Sequence, residues 1–341
     1  MTRFSQVISA TAAVITIASG AVAQDVTLRL HQFLPLTSAV PGNAIEPWIA
    51  KIEAESNGRI KIEHYPSMQL GGSPSSLYNQ ARDGVVDIIW TLQGYTPGRF
   101  PKSEAIELPF MTGDAETASR AFHQYILENA MEEYADTHPL VFHVHGPGWL
   151  HTNDPINTLE DIRGMKLRGP TRVITNLLEA LGATAIGMPV PAVPEAVSKG
   201  VIDGAAIPWE VSVPLKMSEL VTNHAGFSGD PGLYTAAFVL TMNSDSYNAL
   251  PDDLKAIIDA NSGPEVAALF GRALDEADII GRQIAEDRGN TVVVLDDADR
   301  ESWNEVSASV ATDWLADMDA LGVDGQALID SVKRLIEQSA K

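Results

Sequence analysis

Polar and apolar positions alternate over Val26, Leu28 and Leu30, with Thr27, Arg29 and His31 between them, which predicts a strand. The period then changes. Ile45, Trp48, Ile49 and Ile52 recur at helical spacing, and the segment stops at Asn57-Gly58. Pro47 either starts or kinks this helix. Ile60, Ile62 and His64 begin a second alternating run. Ser73-Pro74 reads as an N-cap with a first-turn proline, opening a helix that ends before Gly84. Val85 to Trp90 follows as a buried strand. This β-α-β-α-β order predicts a mostly parallel sheet covered by helices.

The same grammar returns in the second half. Thr158 to Asp161 is a capping-box-like start with Asp in place of Glu. Met165 to Arg168 predicts a strand and Thr171 to Leu181 a helix ending at Gly182. Ala183 to Met188 predicts another strand, and Val193 to Lys199 a short helix. Two stretches match closely: RDGVVDI (82–88) and SKGVIDG (198–204). Each reads as a helix end, a C-cap glycine, two β-branched residues and an aspartate leading into a core strand. The repetition predicts two similar α/β lobes. Leu233 to Asn243 predicts a further strand, Pro251 to Gly289 a helical region broken at Gly263-Pro264, and Thr291 to Leu295 a short strand before a helical C-terminus. No Gly/Ser linker separates the lobes, which favours a hinge over a tether.

The first residues change the picture of where the chain works. Arg3, an uncharged apolar run and the Ala21-Val22-Ala23 end have the order of a secretory signal peptide, cleaved after Ala23. The run is too short, and too interrupted by Ser and Thr, for a membrane anchor. The expected product is exported and not inserted in the membrane.

The chain has 341 residues, with 45% hydrophobic and 20% charged positions, which suits folded lobes with sizeable cores. Its formal net charge of −22 opposes binding to nucleic acid or to an anionic membrane surface. It has no cysteine, which excludes thiol catalysis and thiolate-bound metal. No complete dinucleotide, P-loop, nucleophile-elbow or HExxH motif is present. His143 and His145 share a strand face in an H-x-H pattern compatible with a metal, but no carboxylate cluster accompanies them. An exported metal-dependent hydrolase using this pair is therefore the alternative reading, against packed histidines at a strand end.

Ligands of open α/β sheets sit outside the carboxyl ends of strands. Those ends here carry His31 and Phe33, then Trp90, Gln93 and Tyr95, and in the second half Arg168, Trp209 and Glu210. Trp149 and His151 precede the second lobe. For each residue packing competes with ligand contact. Arg168 ends an apolar strand just before Gly169-Pro170, where a planar guanidinium suits bidentate capture of a carboxylate. An ion pair with one of the chain's many acids is the competing account.

Several segments together resemble the DctP-type substrate-binding proteins of tripartite ATP-independent periplasmic (TRAP) transporters. They are ESNGRIKIEHYPSMQLGG, DGVVDI, GYTPGRFPKSEAIELPF, TLEDIRGMKLRGP, LGATAIGMPV and KGVIDGAAIPWE, in that order along most of the chain. The resemblance implies a two-lobed periplasmic binding protein (type II-like), α/β in class, with a long lobe-spanning helix within Pro251 to Gly289. The expected division is signal peptide 1–23, lobe I over 24–146 and 233–273, lobe II over 147–232 and 274–300, and a C-terminal helical segment over 301–341. It implies capture of a small organic acid anion, no cofactor, and delivery to the small and large TRAP membrane subunits; a ligand carrier for a sensor would need the same lobes. The recurrent carboxylate-binding arginine of the family falls on Arg168. Sialic-acid-binding members carry a second arginine in the segment that here reads HGPGWLH, and an Asn soon after the second-lobe DG where Ile207 stands. The departures imply a smaller or more apolar acid, aromatic or hydroxy-substituted, with Trp90, Trp149 and Trp209 available to stack on it; a sulfonate or keto acid stays open.

Overall fold

The computed structural model describes residues 26–227, 229 and 231–340. The signal-peptide expectation lies outside these residues. Eleven strands are formed among them: β1 (Val26–His31), β2 (Ile60–Tyr65), β3 (Ile88–Leu92), β4 (His138–Val144), β5 (Trp149–Thr152), β6 (Lys166–Gly169), β7 (Thr184–Gly187), β8 (Gly204–Ile207), β9 (Asn223–Phe227), β10 (Ala237–Met242) and β11 (Thr291–Leu295). They make two sheets, ordered β2-β1-β3-β10-β4 and β11-β9-β5-β8-β6-β7. Read from the β2 and β7 edges, the two orders are the same. The first three strands are parallel, and the fourth, β10 or β5, is antiparallel to both neighbours. β11 adds one parallel strand to the second sheet.

The paired sequence stretches become two copies of one turn. Gly84 and Gly200 both take left-handed φ, +69° and +66°. In each copy the residue after glycine is exposed (Val85, Val201) and the next is buried (Val86, Ile202). The aspartate then reaches the neighbouring strand: Asp87 accepts from the Arg29 amide and Asp203 from the Lys166 amide, both at 2.8 Å. The turn is longer than the pattern predicts, so the first of these strands runs Ile88–Leu92 and not Val85 to Trp90. The expected strand from Leu233 to Asn243 begins only at Ala237, because the preceding residues form a crossing between lobes with no ladder partner. Pro47 starts its helix. It stands in the first turn of Glu46–Glu55, where its missing N–H is not needed, after a π-helical turn over Val40–Ile45.

The chain crosses between the sheets between β4 and β5, between β9 and β10, and along the helix Pro264–Asp287. That helix has 24 residues, so it spans about 36 Å. Gly271, Asp275, Asp278 and Gly281 fall on one face of it. A Cβ at Gly271 would lie 2.2 Å from the Ala115 carbonyl oxygen, and one at Gly281 would lie 2.3 Å from that of Trp209. Asp275 accepts from the amides of Ala115 (2.7 Å) and Glu116 (2.9 Å), capping the first-lobe helix Ala115–Asn129. Asp278 accepts from the Glu210 amide (2.6 Å) at the start of the second-lobe helix Trp209–Ser212. One helix face therefore docks on both lobes. Of the C-terminal helices, Asp297–Ala320 packs on the second-lobe helix Arg172–Ala180, and Gly325–Ser339 packs on Ala115–Asn129.

A candidate ligand-binding cavity between the lobes

The carboxyl ends of β3 and β6 face each other across a cavity. Its apolar walls include Phe33, Val40, Trp90, Leu92 and Phe238 from the first lobe, Ile207 and Val211 from the second, and Leu274 from the spanning helix. Arg168, Tyr95, Tyr234, His145 and Glu210 bring polar groups to it.

Arg168 is 2% exposed. Its Nε donates to the Met188 carbonyl at 2.9 Å and its Nη1 to the Ala206 carbonyl at 3.0 Å. Among the described residues it has no carboxylate partner, so the ion-pair account does not apply. Burial lowers its pKa, and the nearby Tyr95 and Tyr234 oppose that shift. Two neutral carbonyls, with the neutral Tyr95 hydroxyl beside the guanidinium, leave the positive charge uncancelled among the described residues. A buried guanidinium of this kind is poised for an anion.

The groups beside Arg168 are neutral. Burial raises Tyr95 and Tyr234, against the opposing pull of Arg168. The Tyr95 hydroxyl accepts from the Val190 amide at 2.9 Å. The Tyr234 hydroxyl is buried with no hydrogen-bond partner among the described residues. His145 has its pKa pushed down to about 4 by burial, with Arg168 adding to the fall. Its Nδ1 is 2.5 Å from the Gly146 carbonyl, so this nitrogen carries the proton and Nε2 is left as an acceptor.

The structure brings Phe33, Trp90, Tyr95, Arg168 and Glu210 to the cavity. Trp90 does not offer a free face. It stacks on Phe33 (centroids 4.9 Å, 4° between planes) and on Phe238 (5.1 Å, 3°). These rings come from the β1 and β10 sides of β3, so they cover Trp90 from both sides. Its Nε1 donates to His143 Nε2 at 2.8 Å.

The other expected residues lie elsewhere. His31 points to the opposite face of its sheet, where its Nδ1 meets Gln80 Oε1 at 2.7 Å and its Nε2 accepts from the Leu70 amide. Gln93 lines a smaller neighbouring cavity with Glu104, Glu107 and Arg172. Trp149, His151 and Trp209 form a separate packed corner with His224: Trp209 lies 5.4 Å from Trp149 and 4.7 Å from His151, centroid to centroid. Trp149 and His151 stand on β5 and Arg168 on β6, with β8 between them. Strand order sets them aside from the cavity, and alternation along the chain carries no information about strand order. Tyr234 and Phe238 were not anticipated, because they sit inside a run read as one continuous strand.

His143 is engaged by the protein itself. His143 accepts from Trp90, and burial drives its pKa down to about 3. Among the described residues no group of three or more His, Asp or Glu is placed to hold a metal ion.

Beside the cavity the lobes touch directly. Thr171 Oγ1 donates to Glu107 Oε2 at 2.7 Å, and Arg172 forks onto Glu104 while its Nη1 reaches Asp317 at 2.7 Å. Glu107 also accepts from the Ala237 amide at 2.9 Å, and burial pushes its pKa up to about 8.

Two repeated α/β lobes, joined by several crossings and closed on an apolar cavity with one uncompensated arginine, define a solute-binding receptor. The sequence pattern of bacterial extracellular solute-binding protein family 7, DctP, matches residues 34–317, and the chain belongs to that family of TRAP receptors. A TRAP solute-binding protein of Rhodoferax ferrireducens T118, solved with copurified benzoate, is 48% identical with a TM-score of 0.91, over 92% of this chain and 98% of that one. A marine-metagenome TRAP protein specific for aromatic acid ligands, solved with 3-hydroxybenzoate, is 44% identical with a TM-score of 0.91, over 94% and 100%. A Bordetella bronchiseptica TRAP protein with bound (R)- and (S)-mandelate is 30% identical with a TM-score of 0.85, over 92% and 99%.

Proposed function

We propose that this chain captures an aromatic monocarboxylate between its lobes in the periplasm and delivers it to the small and large membrane subunits of a TRAP transporter. The observation that carries the reading is Arg168: buried, without a carboxylate partner among the described residues, and set in a cavity whose walls are mostly apolar. The carboxylate pairs with the guanidinium and takes the Tyr234 hydroxyl, while the ring lies among apolar walls. The aromatic acids bound by the three similar proteins support this class. The chain acts by binding and release, without turnover and without a cofactor. Cleavage after Ala23 frees it into the periplasm. We place lobe I at 24–146 with 233–273, lobe II at 147–232 with 274–300, and the C-terminal segment at 301–341; the membership of each sheet supports the division into two lobes.

Calorimetry with benzoate and 3-hydroxybenzoate tests the proposal. Arg168→Ala is expected to lose about 2–5 kcal/mol of binding, tens- to thousands-fold in affinity, while still unfolding cooperatively. Arg168→Lys is expected to restore little, because the planar fork is gone. Wild-type affinity in the alanine variant would remove the assignment, and ligand recovered chemically altered would remove the receptor reading.

A further inference from the structure

Glu210 presents a carboxyl that no described residue answers. It is the second residue of the short helix Trp209–Ser212 and is 6% exposed at the cavity wall. Its amide is fixed by Asp278 at 2.6 Å. Its side chain makes no hydrogen bond and no ion pair with any described residue. A lone carboxylate in such a place is strongly unfavourable, and a second negative charge would repel an anionic ligand. Burial, with the Asp278 carboxyl adding to it, pushes the Glu210 pKa well above its usual range; Asp278 itself is pushed up to about 8. These surroundings favour the protonated carboxyl, which has one O–H to donate and one carbonyl oxygen to accept.

The polar groups of the cavity come from different elements. Arg168 stands on β6 and bonds the Met188 and Ala206 carbonyls, whereas Glu210 stands on the helix Trp209–Ser212, whose start is tied to the spanning helix through Asp278, and forms no ion pair with Arg168. A ring held by its carboxylate at Arg168 leaves this second polar point unmatched unless the ring carries a polar group of its own. A ring hydroxyl fits, since it both donates and accepts.

We propose that Glu210 is the specificity-determining residue of the cavity: it bonds a hydroxyl on the ligand ring, so that hydroxy-substituted aromatic carboxylates are selected over unsubstituted ones. This rests on the aromatic-acid reading above. Its test is calorimetry of the wild type, Glu210→Gln and Glu210→Leu with benzoate, the three hydroxybenzoates and the matching methylbenzoates as size controls. The wild type is expected to bind one hydroxybenzoate isomer about tenfold or more tighter than benzoate and the corresponding methylbenzoate. Glu210→Leu is expected to abolish that preference, weakening the hydroxybenzoate more than benzoate, and Glu210→Gln to keep most of it. A wild type that binds benzoate but ignores the hydroxyl in every isomer overturns the assignment to Glu210 alone. So does a leucine variant that weakens benzoate and hydroxybenzoate equally, since that marks a purely structural role. Failure of every benzoate to bind the wild type overturns the aromatic-acid reading and this inference with it.

Discussion

A single hydrogen in place of a side chain at position 148 is what lets Tyr234 reach the cavity. A Cβ built on Gly148 would lie 2.2 Å from the Tyr234 ring. That glycine lies in the segment HGPGWLH, and it leaves room for a phenol near Arg168. Gly148→Ala is expected to displace the ring, lowering stability by about 1–3 kcal/mol and weakening ligand affinity with it. Tyr234→Phe is expected to leave stability nearly unchanged and to lower affinity about tenfold, since only one hydrogen bond goes. Thermal unfolding and calorimetry separate the two effects; an alanine variant with the melting temperature and affinity of wild type would show that the ring is not pinned. Arg168 was legible in the sequence because a charged residue ending an apolar strand before Gly-Pro has few packing roles. Tyr234 was not, because its role depends on a glycine 86 positions earlier that it meets only after the chain crosses between lobes.

At the scale of elements, the two glycine turns show how much a short motif specifies. The left-handed glycine ends the helix, the exposed Val85 or Val201 passes over the turn, and the aspartate ties the neighbouring strand through its amide. Asp203 therefore holds the start of β6, the strand that carries Arg168. Asp203→Ala is expected to cost about 1–2 kcal/mol, below the range for a fully buried charge-assisted bond because water reaches the freed amide. Asp203→Asn is expected to recover most of it, as the side-chain carbonyl still accepts. Urea unfolding reads both variants, and equal stability of wild type and the alanine variant would deny the tie. The sequence carried this motif openly since each residue in it has one physical job. It did not mark β5 (WLHT) or β9 (NHAGF), which are short, histidine-bearing and without clear alternation. Their pairing is set by the sheet they join, and the misplacement of Trp149 and His151 relative to the cavity follows from that.

For the whole molecule, the spanning helix was implied only by the family resemblance, while the doubled lobes were readable from repetition and the hinge-like crossings from the lack of a linker. How the lobes hold each other was not, because Glu104, Arg172 and Asp317 are far apart in the chain and each looks like a surface charge. In the structure they form a latch. Glu104, on the first-lobe turn Ser103–Glu107, receives the guanidinium fork of second-lobe Arg172, which also binds Asp317 on the C-terminal helix. Arg172 is absent from the cavity wall, although Pro170 belongs to it. The Glu104 side chain is only 13% exposed and that of Arg172 35%, so the pair is worth more than a fully solvated one but is still screened. Taking about 1 kcal/mol for it, Arg172→Ala is expected to raise the ligand dissociation rate about fivefold through easier opening of the lobes, with the association rate little changed. Glu104→Gln, which keeps the shape and a hydrogen bond, is expected to have a smaller effect in the same direction. Because no latch residue contacts the ligand, the affinity ratios among different aromatic acids are expected to stay at wild-type values. Stopped-flow binding across such a ligand series decides the matter. An unchanged dissociation rate would mean that closure is held by the ligand and cavity alone. A changed selectivity ratio would place Arg172 in recognition, not in closure.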